Sequence, residues 1–289
     1  MSKLLITGDW HIRYTVPICL DLSETDWLEL QKSVLDNIVN IAIKNDVDDI
    51  LIGGDVFHSM SSSNYQCINL VLDFAKNCYD NDIGVVIIAG NHDLPYHNSE
   101  NLDKSPIGIL FKSKYIKSGY DYDIVDMRNF DDDNYTDCQF MFKHILTLPE
   151  NNNNFFECET PETLLSKYKA DVIFTADYHK NFNIAVDDRR VINAGCITCQ
   201  NKEFKNYEFG VYVFDTDTKN AEFVKLEKQD YKFSDNSKVE LKAMSDFVNE
   251  VKDLQNDNID FLSLLSLRVE KENETIKQKI KNYVDVCQQ

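Results

Sequence analysis

Val85-Val86-Ile87-Ile88-Ala89 runs straight into Gly90-Asn91-His92-Asp93. The first half is apolar and largely β-branched and reads as a buried parallel strand. The second half places an amide, an imidazole and a carboxylate at the strand's end, a dense set of metal-ligand and acid–base groups. Taken by itself the tetrapeptide is equally a turn whose Asn and Asp bond local backbone. It has two counterparts, however. Lys3-Leu4-Leu5-Ile6-Thr7 runs into Gly8-Asp9-Trp10-His11, and Ile50-Leu51-Ile52 runs into Gly53-Gly54-Asp55-Val56-Phe57-His58. Loops at the carboxyl ends of parallel strands converge on one crevice, so Asp9, His11, Asp55, Asn91 and His92 are expected to meet in space. A carboxylate between two cations can bridge them, and a mixed Asp, Asn and His set suits Mn(II), Fe(II) or Zn(II).

Between these strands the spacing predicts helices. Ser23 reads as an N-cap with Asp26 three positions on, followed by Trp27, Leu30, Val34, Ile38 and Ile41 at helical spacing up to Asn45-Asp46. A second helix is expected over about Tyr65–Tyr79, with Ile68, Val71, Leu72 and Ala75 inward. This β–α–β–α–β order implies a parallel sheet. The glycine-rich fingerprint of a dinucleotide site is missing after the first strand, which argues against a nicotinamide cofactor. Further strands are expected at Gln139–Lys143, ending in His144, and at Asp171–Thr175, ending in Ala176-Asp177-Tyr178-His179. A short helix opens at Thr160-Pro161-Glu162, Val191–Gly195 is another strand, and Gly210–Phe214 with Ala221–Leu226 reads as an antiparallel hairpin. The polar stretch Lys232–Lys238 marks a boundary, giving a main domain over 1–231 and a small capping domain over 232–289.

The 289-residue chain is 43% hydrophobic and 27% charged, as expected of a globular protein. It has no uninterrupted apolar stretch of membrane-spanning length, and the N-terminus enters a strand at Lys3 with no room for a signal peptide. The expectation is therefore cytoplasmic, with no membrane. The eight cysteines, including the Cys196-x-x-Cys199 pair, are expected as free thiols. Lys104, Lys112, Lys114 and Lys117 read as a solvated face rather than a phosphate-facing patch. The net charge of −19 has consequences for partners. A protein that holds DNA by its own field should be basic, so a nucleic-acid role here requires a local basic surface, bridging metals or a basic partner.

Asp9-x-His11, Gly54-Asp55, Gly90-Asn91-His92-Asp93, His144 and His179, each at a strand end, resemble the calcineurin-like metallophosphoesterase superfamily. Within it, Gly53-Gly54-Asp55-Val56-Phe57-His58 and the spacing onward are most similar to SbcD/Mre nucleases. The resemblance covers about residues 1–230. It implies a four-layer α-β-β-α sandwich with a small C-terminal α+β capping domain, and two divalent metal ions, Mn(II) above others. It implies that Asp9, His11 and His179 hold one ion, that Asp55 bridges, and that Asn91 and His144 hold the second. His92 would be the acid near the scissile phosphate and His58 would orient it. The implied activity is exonuclease and endonuclease cleavage of DNA beside an SbcC-like coiled-coil ATPase, in repair, recombination or replication. The resemblance also implies a homodimer. Lys180, Arg189 and Arg190 are candidates for DNA phosphate contacts. One departure stands out: where the family has Gly-His-x-His, this chain has Ala176-Asp177-Tyr178-His179. The expectation is that Asp177 serves the second metal through oxygen. The competing functions are a phosphomonoesterase or cyclic-nucleotide phosphodiesterase of the same fold, and an inactive acidic binding subunit.

Overall fold

In the computed structural model, residues 2–59, 64–95, 99–119, 139–150 and 158–234 are described. β1 (Lys3–Thr7), β2 (Asp49–Ile52) and β3 (Gly84–Ile87) are parallel neighbours, with Leu5 opposite Ile50 and Ile50 opposite Val85. Their crossovers are the two expected helices. α1 (Glu24–Lys44) starts where the Ser23 hydroxyl accepts from the Asp26 amide, and α2 (Tyr65–Asp80) is capped by Asn64. Both present the apolar stripes read from the sequence, although Leu30 and Leu72 are only half-buried. The stretch after Leu94 adds α3 (Pro106–Phe111) and the two-residue edge strand β4 (Lys117–Ser118).

A second sheet follows. It is built from β5 (Phe140–Lys143), β6 (Val172–Thr175), β7 (Phe182–Val186) and β8 (Arg189–Asn193), in the order β5-β6-β8-β7. α4 (Pro161–Lys167) precedes β6, with Thr160 as N-cap and Pro161 in the first turn, where its missing N–H is not needed. The hairpin β9 (Gly210–Asp215) and β10 (Ala221–Lys225) returns to the first sheet, which reads β10-β9-β1-β2-β3-β4.

The strands β1, β2, β3, β5, β6 and the latter half of β8 are buried on both faces, the signature of sheets covered on two sides, while β7 and β10 are partly exposed. Leu4, Ile6, Leu51, Val86, Phe142, Phe174 and Phe214 form the core shared by the two sheets. Leu164, Leu165 and Tyr168 of the α4 region pack with Met141, Ile173 and Val191 on the second sheet. The result is the expected α-β-β-α sandwich, and every strand running into a chemical motif ends on the same side of it. Among the described residues, no helix is long and apolar enough to cross a membrane.

The chain divides into two units, Met1–Val16 with Leu22–Asp230, and Pro17–Asp21 with Tyr231–Gln289. In the second, Leu20 bridges Phe233 and the Asp21 amide donates to the Lys232 carbonyl. Of the expected α+β capping domain, residues 235–289 lie outside the described residues.

Candidate metal centre

The first two strand-end loops are laced together by backbone. The amides of Asp9, His11 and Ile12 donate to the carbonyls of Gly54, Asp55 and Val56 at 3.1, 2.8 and 2.8 Å. Asp93 ties the third loop to the second: its fully buried carboxylate accepts from the amides of Val56, Phe57 and Gly90 at 3.2, 3.0 and 3.0 Å. The Gly90 position tolerates no side chain, because a Cβ there would collide with the Asp55 carboxylate and backbone. The loop after β6 joins through the Asp177 amide, which donates to Asp9 Oδ1 at 3.0 Å. Its neighbour carbonyls, Tyr178 and Lys180, accept from the buried Asn193 amide at the end of β8.

This lacing forces unusual backbone. Asp9, His11, Asp55 and Asp177 have φ of 48°, 47°, 50° and 74°. Asp and His enter this left-handed region more readily than most residues, and strained conformations of this kind concentrate at functional sites.

The side chains so placed converge. Asp9, His11 and His179 form one group whose ligand atoms lie within 4.8 Å of one another, and Asp9, Asp55 and His144 form another. Asp55 stands between them, Oδ2 3.7 Å from His11 Nε2 and Oδ1 3.5 Å from His144 Nε2. The two Nε2 atoms of His11 and His179 face each other at 2.9 Å. His144 Nδ1 lies 2.7 Å from the Gly53 carbonyl, which can only accept, so Nδ1 carries the proton and Nε2 keeps a lone pair. That lone pair faces Asn91 Oδ1 at 3.2 Å, Asp55 Oδ1 and, at 3.8 Å, Asp177 Oδ1. Asp9 Oδ2, Asp55 Oδ2 and His11 Nδ1 are buried without a hydrogen-bond partner among the described residues. Buried acceptors facing acceptors are satisfied by cations, so the residues fit divalent metal ions.

The electrostatics agree. Burial is the largest influence on Asp9 and pushes its carboxyl up to about 7, against the pull of His144 and with a further push from Asp55. Burial works against a charged His144, but the carboxylates of Asp55, Asp9 and Asp177 outweigh it and raise its pKa. Burial, then the neighbouring imidazoles of His179, His92 and His58, hold His11 well below the usual range. The same basin of negative potential that favours a proton on His144 favours a metal ion.

His92 and His58 stand beside this centre. Their rings are stacked with centroids 5.9 Å apart, and His92 lies 5.0 Å from His11. His92 Nδ1–H donates to the His58 carbonyl at 2.7 Å, leaving Nε2 of this exposed ring to act outward. Burial, followed by the charge of Arg13, lowers His58 to about 3.

Thus Asp9, His11, His58, Asp55, Asn91, His92, His144, Asp177 and His179 come together. Lys180, Arg189 and Arg190 do not join them. Lys180 is exposed, 3.9 Å from the Glu203 carboxylate. Arg189 and Arg190 begin β8, at the end opposite Asn193, and Arg189 donates to the Tyr168 carbonyl. Asp93 makes the backbone bonds that its turn reading implied, whereas Asn193, Arg13 and Gln31 serve the site without having been singled out. Only Gln31 left a signal, as an amide on the apolar stripe of α1 between Trp27 and Val34.

The chain belongs to the calcineurin-like phosphoesterase family, whose model matches residues 2–182. Within that class it is similar to the DNA double-strand break repair protein Mre11 of Nanoarchaeum equitans, with 40% identity over 76 residues, 26% of this chain and 21% of that protein. It is also similar to the double-strand break repair protein MRE11 of Encephalitozoon cuniculi, with 32% identity over 147 residues, 43% of this chain and 24% of the relative. The match thus spans about a quarter or less of either relative's length. A solved archaeal phosphodiesterase aligns over 78% of this chain and 99% of its own, at 16% identity and a TM-score of 0.38.

Proposed function

We propose that this chain is a DNA nuclease of the SbcD/Mre type that hydrolyses phosphodiester bonds with two divalent metal ions. The observation that carries the reading is the His144 lone pair turned, inside a buried pocket, toward oxygens of Asn91, Asp55 and Asp177. Asp9, His11 and His179 would hold one ion, Asp55 would bridge, and Asn91, His144 and Asp177 would hold the other. The mixed nitrogen and oxygen donors suit Mn(II). Bound there, the ions supply an activated water nucleophile and neutralise the phosphate oxygens.

The protein's own groups do the rest. His92, oriented by the His58 carbonyl, gives its Nε2 proton to the leaving oxygen, and His58 orients the phosphate. The similarity to the two break-repair proteins supports DNA as the substrate. An SbcC-like ATPase supplies the basic surface that this acidic chain lacks, in repair, recombination or replication. The working unit is a cytoplasmic homodimer, with residues 1–231 as the nuclease domain and 232–289 as its cap.

The test is cleavage of linear duplex and single-stranded DNA with Mn(II), next to His92→Ala and to protein stripped by EDTA. Cleavage that vanishes in both controls supports the reading. Turnover of bis-p-nitrophenyl phosphate without DNA cleavage would assign the site another phosphoester, and silence on both substrates with metal bound would overturn catalysis.

A further inference from the structure

We infer that Arg13 is a positioning residue of this site, fixing the tautomer of His58 and setting a permanent positive charge beside it. The inference rests on the phosphodiesterase reading above. Arg13 Nη1 lies 2.8 Å from His58 Nε2. A guanidinium has no acceptor and stays protonated, so the hydrogen runs from Arg13 to His58. Nε2 therefore carries the lone pair, and the proton of the neutral ring sits on Nδ1. That Nδ1 is buried without a hydrogen-bond partner among the described residues. A buried N–H with nothing to donate to is costly until an acceptor arrives, and a phosphate oxygen is such an acceptor.

One imidazole nitrogen each of His11, His58 and His92 lie within 4.8 Å of one another, a spacing that also suits a cation. Arg13 excludes that use. The only lone pair of neutral His58 is taken by the guanidinium, whose charge repels a further ion. This corner of the site is made for an anion.

Arg13 is itself held from α1. Its amide donates to Gln31 Oε1 at 3.0 Å, and its carbonyl accepts from Gln31 Nε2 at 2.9 Å. Gln31 is fully buried and also donates to the Trp27 carbonyl at 3.3 Å, so a core amide ties the peptide of one loop residue to the backbone of α1. In a chain of net charge −19, this gives the phosphate a fixed local cation that does not depend on the distant Arg189 and Arg190.

The experiment is ¹⁵N NMR of the full-length protein labelled at histidine, in Mn(II)-free buffer, with the His58 signal identified by its loss in His58→Ala. Wild type should show His58 only as the Nδ1–H tautomer, and Arg13→Gln a mixture, with Arg13→Lys restoring the single form. With bis-p-nitrophenyl phosphate and Mn(II), Arg13→Gln should raise KM about tenfold and change kcat by less than about threefold. If Arg13→Gln does not fold, Gln31→Met, which frees the Arg13 peptide, should shift the tautomer and KM in the same direction. An Nε2–H tautomer in wild type, or an Arg13→Gln protein with wild-type tautomer and KM, would overturn the inference. Wild-type silence on both the diester and DNA would sink the hydrolase reading, while the tautomer spectrum would still decide the Arg13 assignment.

Discussion

The main-chain amide of Asp177 donates to Oδ1 of Asp9 at 3.0 Å, joining two residues 168 positions apart, one in the loop after a strand of each sheet. Asp177 thus has two separable parts. Its backbone fixes Asp9, and its carboxylate reaches toward His144.

Asp177→Asn keeps the backbone bond and tolerates the left-handed φ, but removes the charge. Calorimetric titration with Mn(II) should show one of two sites weakened at least tenfold or so, since even outer partners of metal ligands carry about that much. Asp177→His should bring two sites back. Two unaltered sites in the Asn variant would remove Asp177 from the ligand set.

Loss of the His92 proton should be a pure rate effect. His92→Gln is expected to lower kcat by roughly 10²–10⁴-fold while metal content, measured by elemental analysis, stays at the wild-type value. A parallel fall in bound metal would recast His92 as part of the metal centre.

Asp93 touches no expected metal ligand except through backbone, yet it satisfies three buried amides at once. Asp93→Ala leaves them without acceptors and should cost on the order of 3 kcal/mol in urea unfolding. A midpoint within error of wild type would show that water replaces the carboxylate.

Metal-free protein should carry a pH signature from Asp9. Its carboxyl titrates near 3.8 when unfolded and is pushed up to about 7 by burial in the fold. The folded state therefore holds this proton more tightly. Its contribution is complete below about pH 4 and is lost as pH rises through 7. Asp9→Asn lacks this loss, so the stability of the variant minus that of wild type should grow from pH 4 to pH 8. The growth is on the order of 4 kcal/mol. A difference independent of pH would mean that Asp9 is ionised in the empty site.

Much of this was legible in the chain. Strands such as Ile50–Ile52 are continuous apolar runs punctuated by Gly, and Ser23 and Thr160 announce helix starts by their capping chemistry. The candidate ligands were visible because each follows such a strand. What escaped depends on tertiary neighbours. β7 alternates buried and exposed residues, but its turn at Asp187-Asp188 carries charge in place of glycine and reads as a solvated loop. Without that hairpin, Arg189 and Arg190 looked near to His179 in sequence; the strand carries them to its far end. Arg13 looked like any loop cation, because its meaning comes from a histidine 45 positions on.

The left-handed turns at Asp9, His11, Asp55 and Asp177 are tied to one another by main-chain donors, Asp9 to Gly54, His11 to Asp55 and Asp177 to Asp9. Displacing any one of these loops therefore displaces the candidate metal-binding side chains carried by the others.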